Sequence, residues 1–269
     1  MRTKRNTDPI GVFDSGLGGL TVVREIRRLL PHEDIIYLGD SARLPYGIKS
    51  KRQIIQFSLS NAQFLLKRKI KALVIACNSS SAHAYYILKK QLPIPVVDVI
   101  SPVSREAGED SYNKKIGVIG TRATIDSHAY QREIKKINPK IKVFGQQCPL
   151  FVPLVEEGWL ENDIARSIVK RYLISFKKKG IDTLILGCTH YPLLKKIIAR
   201  EVGSAITVMD SGPSAARMLQ KELVRKKLIN SKRQKGSLKI FVTDLSPYFV
   251  TVGERFLQHP LRHVNVIKV

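Results

Sequence analysis

Short apolar runs alternate with longer amphipathic stretches along most of this 269-residue chain. "PIGVFDSG" (9–16) precedes the charge-striped "LTVVREIRRLL", "DIIYLGD" follows, and "RQIIQFSLSNAQFLLKRK" leads into "ALVIACNSSSA" (72–82). Brief apolar runs closed by Gly or a polar turn fit strands covered on both faces, and the stripes between them fit helices packed over those strands. Their alternation predicts an α/β protein with largely parallel sheets.

The pattern then repeats itself. "KIGVIGTRAT" (115–124) echoes "PIGVFDSG", and "TLILGCTHY" (183–191) echoes "ALVIACNSS" (72–80). Gly11 and Gly117 lie 106 residues apart and Cys77 and Cys188 lie 111 apart, so the two series run nearly in step. This predicts two similar α/β domains with mainly parallel sheets, related by a pseudo-twofold axis, with the active site in the cleft between them. Residues 1–98 with 210–269 are expected to form the first domain and 99–209 the second, the last strands returning to the first. Ligands of such sheets bind beyond the carboxyl ends of the strands, where both Cys77 and Cys188 fall.

Composition narrows the class. The 43% hydrophobic content is ordinary for a globular protein, and there is no apolar run of the roughly 18 residues a membrane span needs. The polar start "MRTKRNTDP" leads into no signal-like region, which predicts a cytoplasmic protein without a membrane partner. Three cysteines with no CxxC pair argue against a disulfide framework and a structural zinc site, and free thiols fit a reducing compartment. A formal charge of +24 keeps a nucleic-acid or nucleic-acid-enzyme partner in view. Yet the most basic piece, residues 221–239, holds eight basic residues, one acid and no aromatic for bases to stack on. It reads as a solvated helix end and loop.

The chemistry-bearing residues sit in the echoed segments. In "VFDSGLGGL" (12–20) an acid and a serine end a strand and glycines open a helix, a place for an anion on helix amides. The spacing is not G-x-G-x-x-G, and Asp14 as a simple helix cap is the competing reading. Cys77 alone reads as a buried structural thiol, since free Cys is among the most buried residue types. Cys188 carries Thr189 and His190 directly behind it, and an imidazole two positions on can hold a thiol or set its proton affinity. Two thiols in matching positions suit inversion of a stereocentre, which needs a base on one face of a carbon and an acid on the other. Cys148 has no counterpart in the repeat and reads as packing, as do Tyr85, Tyr86 and Leu88; Trp159 reads as a packing anchor, with a place at the mouth of the cleft as the alternative.

These segments closely resemble the glutamate racemases, a family of cofactor-independent amino-acid racemases. The likeness runs through "GVFDSGLGGLTV", "GDSARLPYG", "ALVIACNSSSA", "GVIGTRAT" and "PLFVPLVEEG" to "LILGCTHYPLL". It implies interconversion of L- and D-glutamate for peptidoglycan biosynthesis without metal or cofactor, by a protein that acts as a homodimer. Cys77 and Cys188 become the proton-transfer residues, the first acting on D-glutamate and the second on L-glutamate. Asp14, Glu156 and His190 assist them. Substrate contacts are implied for Ser15, Pro45, Tyr46, Gly47, Asn78, Ser79 and Thr189, with Asp14 and His190 shared between both sets. Thr121 and Thr124 are expected on the distal carboxylate, with helix capping as the alternative. Family members usually read "CNTAS" where this chain reads "CNSSS"; Ser79 keeps a hydroxyl and loses a methyl. An aspartate or hydantoin racemase, or a basic binding protein on a retired racemase scaffold, are the competing functions.

Overall fold

The computed structural model describes residues 5–268. The first series runs β1 (Ile10–Asp14), α1 (Leu20–Leu29), β2 (Ile35–Gly39), α2 (Lys51–Leu66), β3 (Ala72–Ile75), α3 (Asn78–Gln91) and β4 (Val96–Asp98). Helix α4 (Ser101–Asp110) crosses to the second series. That series comprises β5 (Lys115–Gly120), α5 (Arg122–Asp126), α6 (Ala129–Ile137), β6 (Lys142–Gln147), α7 (Phe151–Glu156), α8 (Asp163–Lys179), β7 (Thr183–Gly187), α9 (Lys195–Val202) and β8 (Thr207–Asp210). Helix α10 (Ser211–Arg225) crosses back to β9 (Leu238–Val242), α11 (Phe249–Leu257) and β10 (Val264–Val266).

Two parallel sheets result, ordered β10-β9-β2-β1-β3-β4 and β6-β5-β7-β8. The core order 2-1-3-4 of the first is repeated as 6-5-7-8 in the second, so the sequence echoes mark a true structural repeat. In both sheets the strand order reverses between the first and third strands of the series, the point where open α/β sheets bind ligands. β1, β3 and β7 are buried along their whole length, which is why they read as unbroken apolar runs. The register places Phe13 beside Ile75 and Gly120 beside Gly187, so the loops carrying the two thiols leave from equivalent corners.

One apolar core joins the sheets: Val12, Leu20 and Val23 of the first series belong to the same buried cluster as Leu184, Leu186 and Tyr191 of the second. Tyr86 departs from the core role expected of it. It is 53% exposed, and its hydroxyl donates to Glu133 Oε1 at 2.7 Å. Tyr85 and Leu88 share the inner stripe of α3 at i and i+3, and the intervening position points outward. Trp159 is 44% exposed. Residues Lys226, Lys227, Lys232, Arg233 and Lys235 of the basic segment are exposed, in the loop between α10 and β9. Among the described residues no helix is long and apolar enough to cross a membrane.

Candidate active site

Four strand ends converge on one narrow cavity of about 40 Å³, room for a few water molecules. It is lined by Ser15 and Gly16 after β1, Cys77 to Ser79 after β3, Thr121 and Thr124 after β5, and Cys188 to His190 after β7. Leu44 to Gly47, Val152 and Glu156 close it. The structure thus gathers every residue named above for chemistry or substrate contact except Asp14, which lies just beneath, 1% exposed. Cys148 is fully buried behind the site, not on the cavity wall, and its carbonyl accepts the Tyr191 hydroxyl at 2.9 Å.

The Cys77 corner is built on a helix start. Cys77 is the N-cap of α3 with an extended backbone (φ −122°, ψ 123°), and its thiol donates to Ser15 Oγ at 3.7 Å. Asp14 is fixed below it by the amides of Gly19 (2.8 Å) and Gly16 (3.3 Å), both on Oδ2, while Oδ1 has no partner. Burial raises the Asp14 carboxyl above its usual range, against the opposing charge of His190. Burial, together with the Asp14 charge, pushes the Cys77 thiol up to about 12, so this corner favours a protonated sulfur.

The Cys188 corner is wired differently. Sγ lies 3.9 Å from His190 Nδ1, and His190 Nε2 lies 3.1 Å from Glu156 Oε1. Burial alone would lower this imidazole, but the hydrogen bonds and charges of Cys188 and Glu156 prevail and push it up to about 10. A protonated His190 then stands as a positive charge beside the Cys188 sulfur. The ring packs edge-on against Phe256 of α11 (5.0 Å between centroids), and Arg255 donates to Val155 O at 3.2 Å, steadying the turn that carries Glu156.

Contacts across the two series lock the corners together. A Cβ on Gly18 would sit 2.4 Å from both His190 Nδ1 and Thr189 Oγ1, so only glycine lets the first loop lie on the second. Thr21 Oγ1 donates to Thr189 O (3.1 Å) and Gly18 O (2.8 Å). Asn78 Nδ2 donates to the Tyr130 hydroxyl on α6 at 2.8 Å. Ser79 Oγ lies 3.1 and 3.3 Å from Thr121 and Thr124 Oγ1, and Thr121 also caps α5 by accepting from the Thr124 amide (3.4 Å). Capping is thus observed for Thr121, and both threonines also line the cavity.

The Pro45–Tyr46–Gly47 turn owes its place to buried Asp40, which accepts from Arg43 Nε (2.8 Å), Thr243 Oγ1 (3.0 Å) and the Tyr46 hydroxyl. It presses Gly47 so close to Thr121 that a Cβ there would meet the threonine at 2.7 Å. Sequence reasoning missed Gly16, Leu44 and Val152 on the wall, and Thr21, Tyr130 and Phe256 behind it. Of these only Gly16 carried a local signal, being part of the glycine-rich turn.

The cavity wall offers hydroxyls, amides and two sulfurs, and no Lys or Arg among the described residues. Such a wall can hold carboxylates through main-chain N–H and O–H donors at helix starts, and can serve a carbon from two sides. A larger cavity of about 820 Å³ opens elsewhere, beside β4 and α4. It contains neither thiol.

Comparison with known proteins decides what scaffold this is. A family model described as Asp/Glu/Hydantoin racemase matches residues 10–219. The chain belongs to the Asp/Glu/Hydantoin racemase family. It is similar to the glutamate racemase of Geobacter metallireducens, 48% identical over 260 residues covering 97% of this chain and 96% of that one. The glutamate racemase of Neisseria meningitidis serogroup A is 45% identical over 262 residues, 97% of each chain. The crystal structure of glutamate racemase from Francisella tularensis in complex with D-glutamate superposes with a TM-score of 0.92 at 42% identity, covering 98% of both chains. The racemase described here therefore shares the two-sheet frame of those enzymes along nearly its full length.

Proposed function

We propose that this racemase interconverts L- and D-glutamate by two-thiol proton transfer at Cα, supplying D-glutamate for peptidoglycan biosynthesis in the cytoplasm. The observation that carries this reading is the pair Cys77 and Cys188 on one cavity, delivered from equivalent corners of a repeated sheet. With L-glutamate bound, Cys188 as thiolate takes the α-proton, leaving the electron pair on Cα. Cys77 then gives its proton to the opposite face and becomes the thiolate. The reverse direction exchanges the roles.

His190 with Glu156 serves the Cys188 side and Asp14 the Cys77 side. Ser15, Asn78, Ser79, Thr121, Thr124 and Thr189 hold the two carboxylates, the ammonium lies near the acids, and the Pro45–Gly47 turn closes over the side chain. A cavity of about 40 Å³ is too small for glutamate. Residues 1–98 with 210–269 therefore part from residues 99–209 about the two crossings, at Asp98–Ser101 and Asp210–Ser211, to admit it. The positive charge of the whole chain raises the local concentration of a dianionic substrate, an effect that fades with salt. The working assembly is a homodimer.

Chiral analysis of the purified protein with L-glutamate and, separately, L-aspartate tests the assignment. D-glutamate should accumulate to equal amounts of both enantiomers, with aspartate slower by about 100-fold or more, as expected when buried polar groups matched to one substrate lose their partners. Equal rates on aspartate, or none on glutamate at any pH between about 7 and 9 where thiols work as bases, would falsify it.

A further inference from the structure

Ser80 carries a buried hydroxyl that no hydrogen bond of good geometry satisfies. It stands three residues after Cys77 in the first turn of α3, fully buried, and its Oγ has no hydrogen-bond partner. An unsatisfied buried polar group is costly, so its presence calls for a reason. The residues at the cap and third positions of a helix face one another across the first turn. Here that places the N–H and the hydroxyl of Ser80 close enough to the Cys77 sulfur to act on its charge, as the Ser15 hydroxyl also does. Either donor favours a charged sulfur over a neutral one. In the family pattern "CNTAS" this position is alanine, so the hydroxyl is an addition.

We propose that Ser80 Oγ–H is a thiolate-receiving donor for Cys77, idle while the thiol keeps its proton and hydrogen-bonded to Sγ once that proton has gone to the substrate carbon. The proposal rests on the two-thiol reading above. It adds a second hydroxyl to the one Ser15 already offers at the Cys77 corner. Asp14 places a negative charge beside this sulfur, which an added donor offsets.

The test is the Ser80→Ala variant, assayed in both directions with its melting temperature. From L-glutamate the resting complex holds a neutral Cys77, so KM should stay constant while kcat falls about tenfold, the lower end for a hydrogen bond to a charged group. From D-glutamate the resting complex already holds the thiolate, so KM should rise about tenfold with kcat little changed. The melting temperature should hold or rise, because a partnerless hydroxyl is removed. All four constants within twofold of wild type would overturn the proposal. So would an equal fall of kcat in both directions with unchanged KM, or a lowered melting temperature, since either marks a packing role. A wild-type protein inactive on glutamate would instead sink the proposed function itself.

Discussion

The two thiol corners share a topology and differ in their electrostatics. Each sulfur leaves the third strand of its series at the switch point and starts the following loop. Cys77 then meets a buried acid and hydroxyl donors and is pushed up to about 12. Cys188 meets an imidazole pushed up to about 10 and backed by Glu156. Duplication explains the shared positions, and the loops explain the difference. Cys77 is therefore held toward its protonated form while a counter-charge stands beside Cys188, the arrangement that the proposed mechanism requires for L-glutamate. Because the enantiomers have equal free energy in water, kcat/KM must be the same in both directions. The asymmetry must appear instead as a matched change of kcat and KM between directions.

The comparison breaks most completely when a sulfur is removed. Cys77→Ser and Cys188→Ser should each lower racemisation by about 10³-fold or more, within the range for loss of a positioned acid or base, read by polarimetry in both directions. A wild-type rate in either variant would mean that its corner is not a proton-transfer site. Gly18→Ala should come next, at about 100-fold. The new Cβ displaces Thr189 and His190 where they touch the first loop, and a misplacement near 1 Å costs about that much. Its melting temperature should fall as well, because the contact is overpacked. If activity survives intact, the corners are not held together at this point.

His190 and Glu156 sharpen the contrast. His190→Asn should lower kcat from L-glutamate by about 30-fold, the milder end of removing a charge that assists proton transfer. The free imidazole value is 6.5 and the folded one about 10. Its charged form therefore contributes to folding fully below pH 6.5, and that contribution is lost as pH rises through about 10. Glu156→Gln should move the alkaline fall of kcat downward by about one pH unit, and the double variant should be no worse than His190→Asn alone. An unchanged profile would disconnect Glu156 from the second corner. The smallest effect is expected from Ser79→Thr, which restores a methyl beside Thr121 and Thr124 while keeping the hydroxyl. KM for glutamate should shift by less than about threefold, the low end for one methylene in a pocket.

Much of this was legible in the chain because parallel strands leave local signatures. The apolar runs ending in Asp14, Ile75, Gly120 and Gly187 fixed where loops begin, and the echoed segments showed that these corners occur twice. Contacts between the series left no such trace. Thr21 reaching Thr189, Asn78 reaching Tyr130 and Phe256 backing His190 join residues far apart in sequence, and each is an unremarkable helix residue in its own segment. Tyr86 was misread because a tyrosine beside a buried tyrosine looks apolar in sequence, whereas helical periodicity turns it to solvent. That Asp14 and His190 could tune the two sides separately was readable from their places beside the thiols, but the size of the Cys77 and His190 shifts was not, since it depends on burial and on Glu156, which only the folded chain brings near.

The central claim is that one carbon is served from two sides by two different sulfurs. Its most direct test is the early time course of wild-type protein in deuterium oxide starting from L-glutamate. Two-sided transfer predicts that the first D-glutamate formed carries solvent deuterium at Cα while the remaining L-glutamate is still largely protiated. Deuterium appearing equally fast in recovered L-glutamate and in the D-glutamate formed would mean a single base working on one face, and would contradict the account.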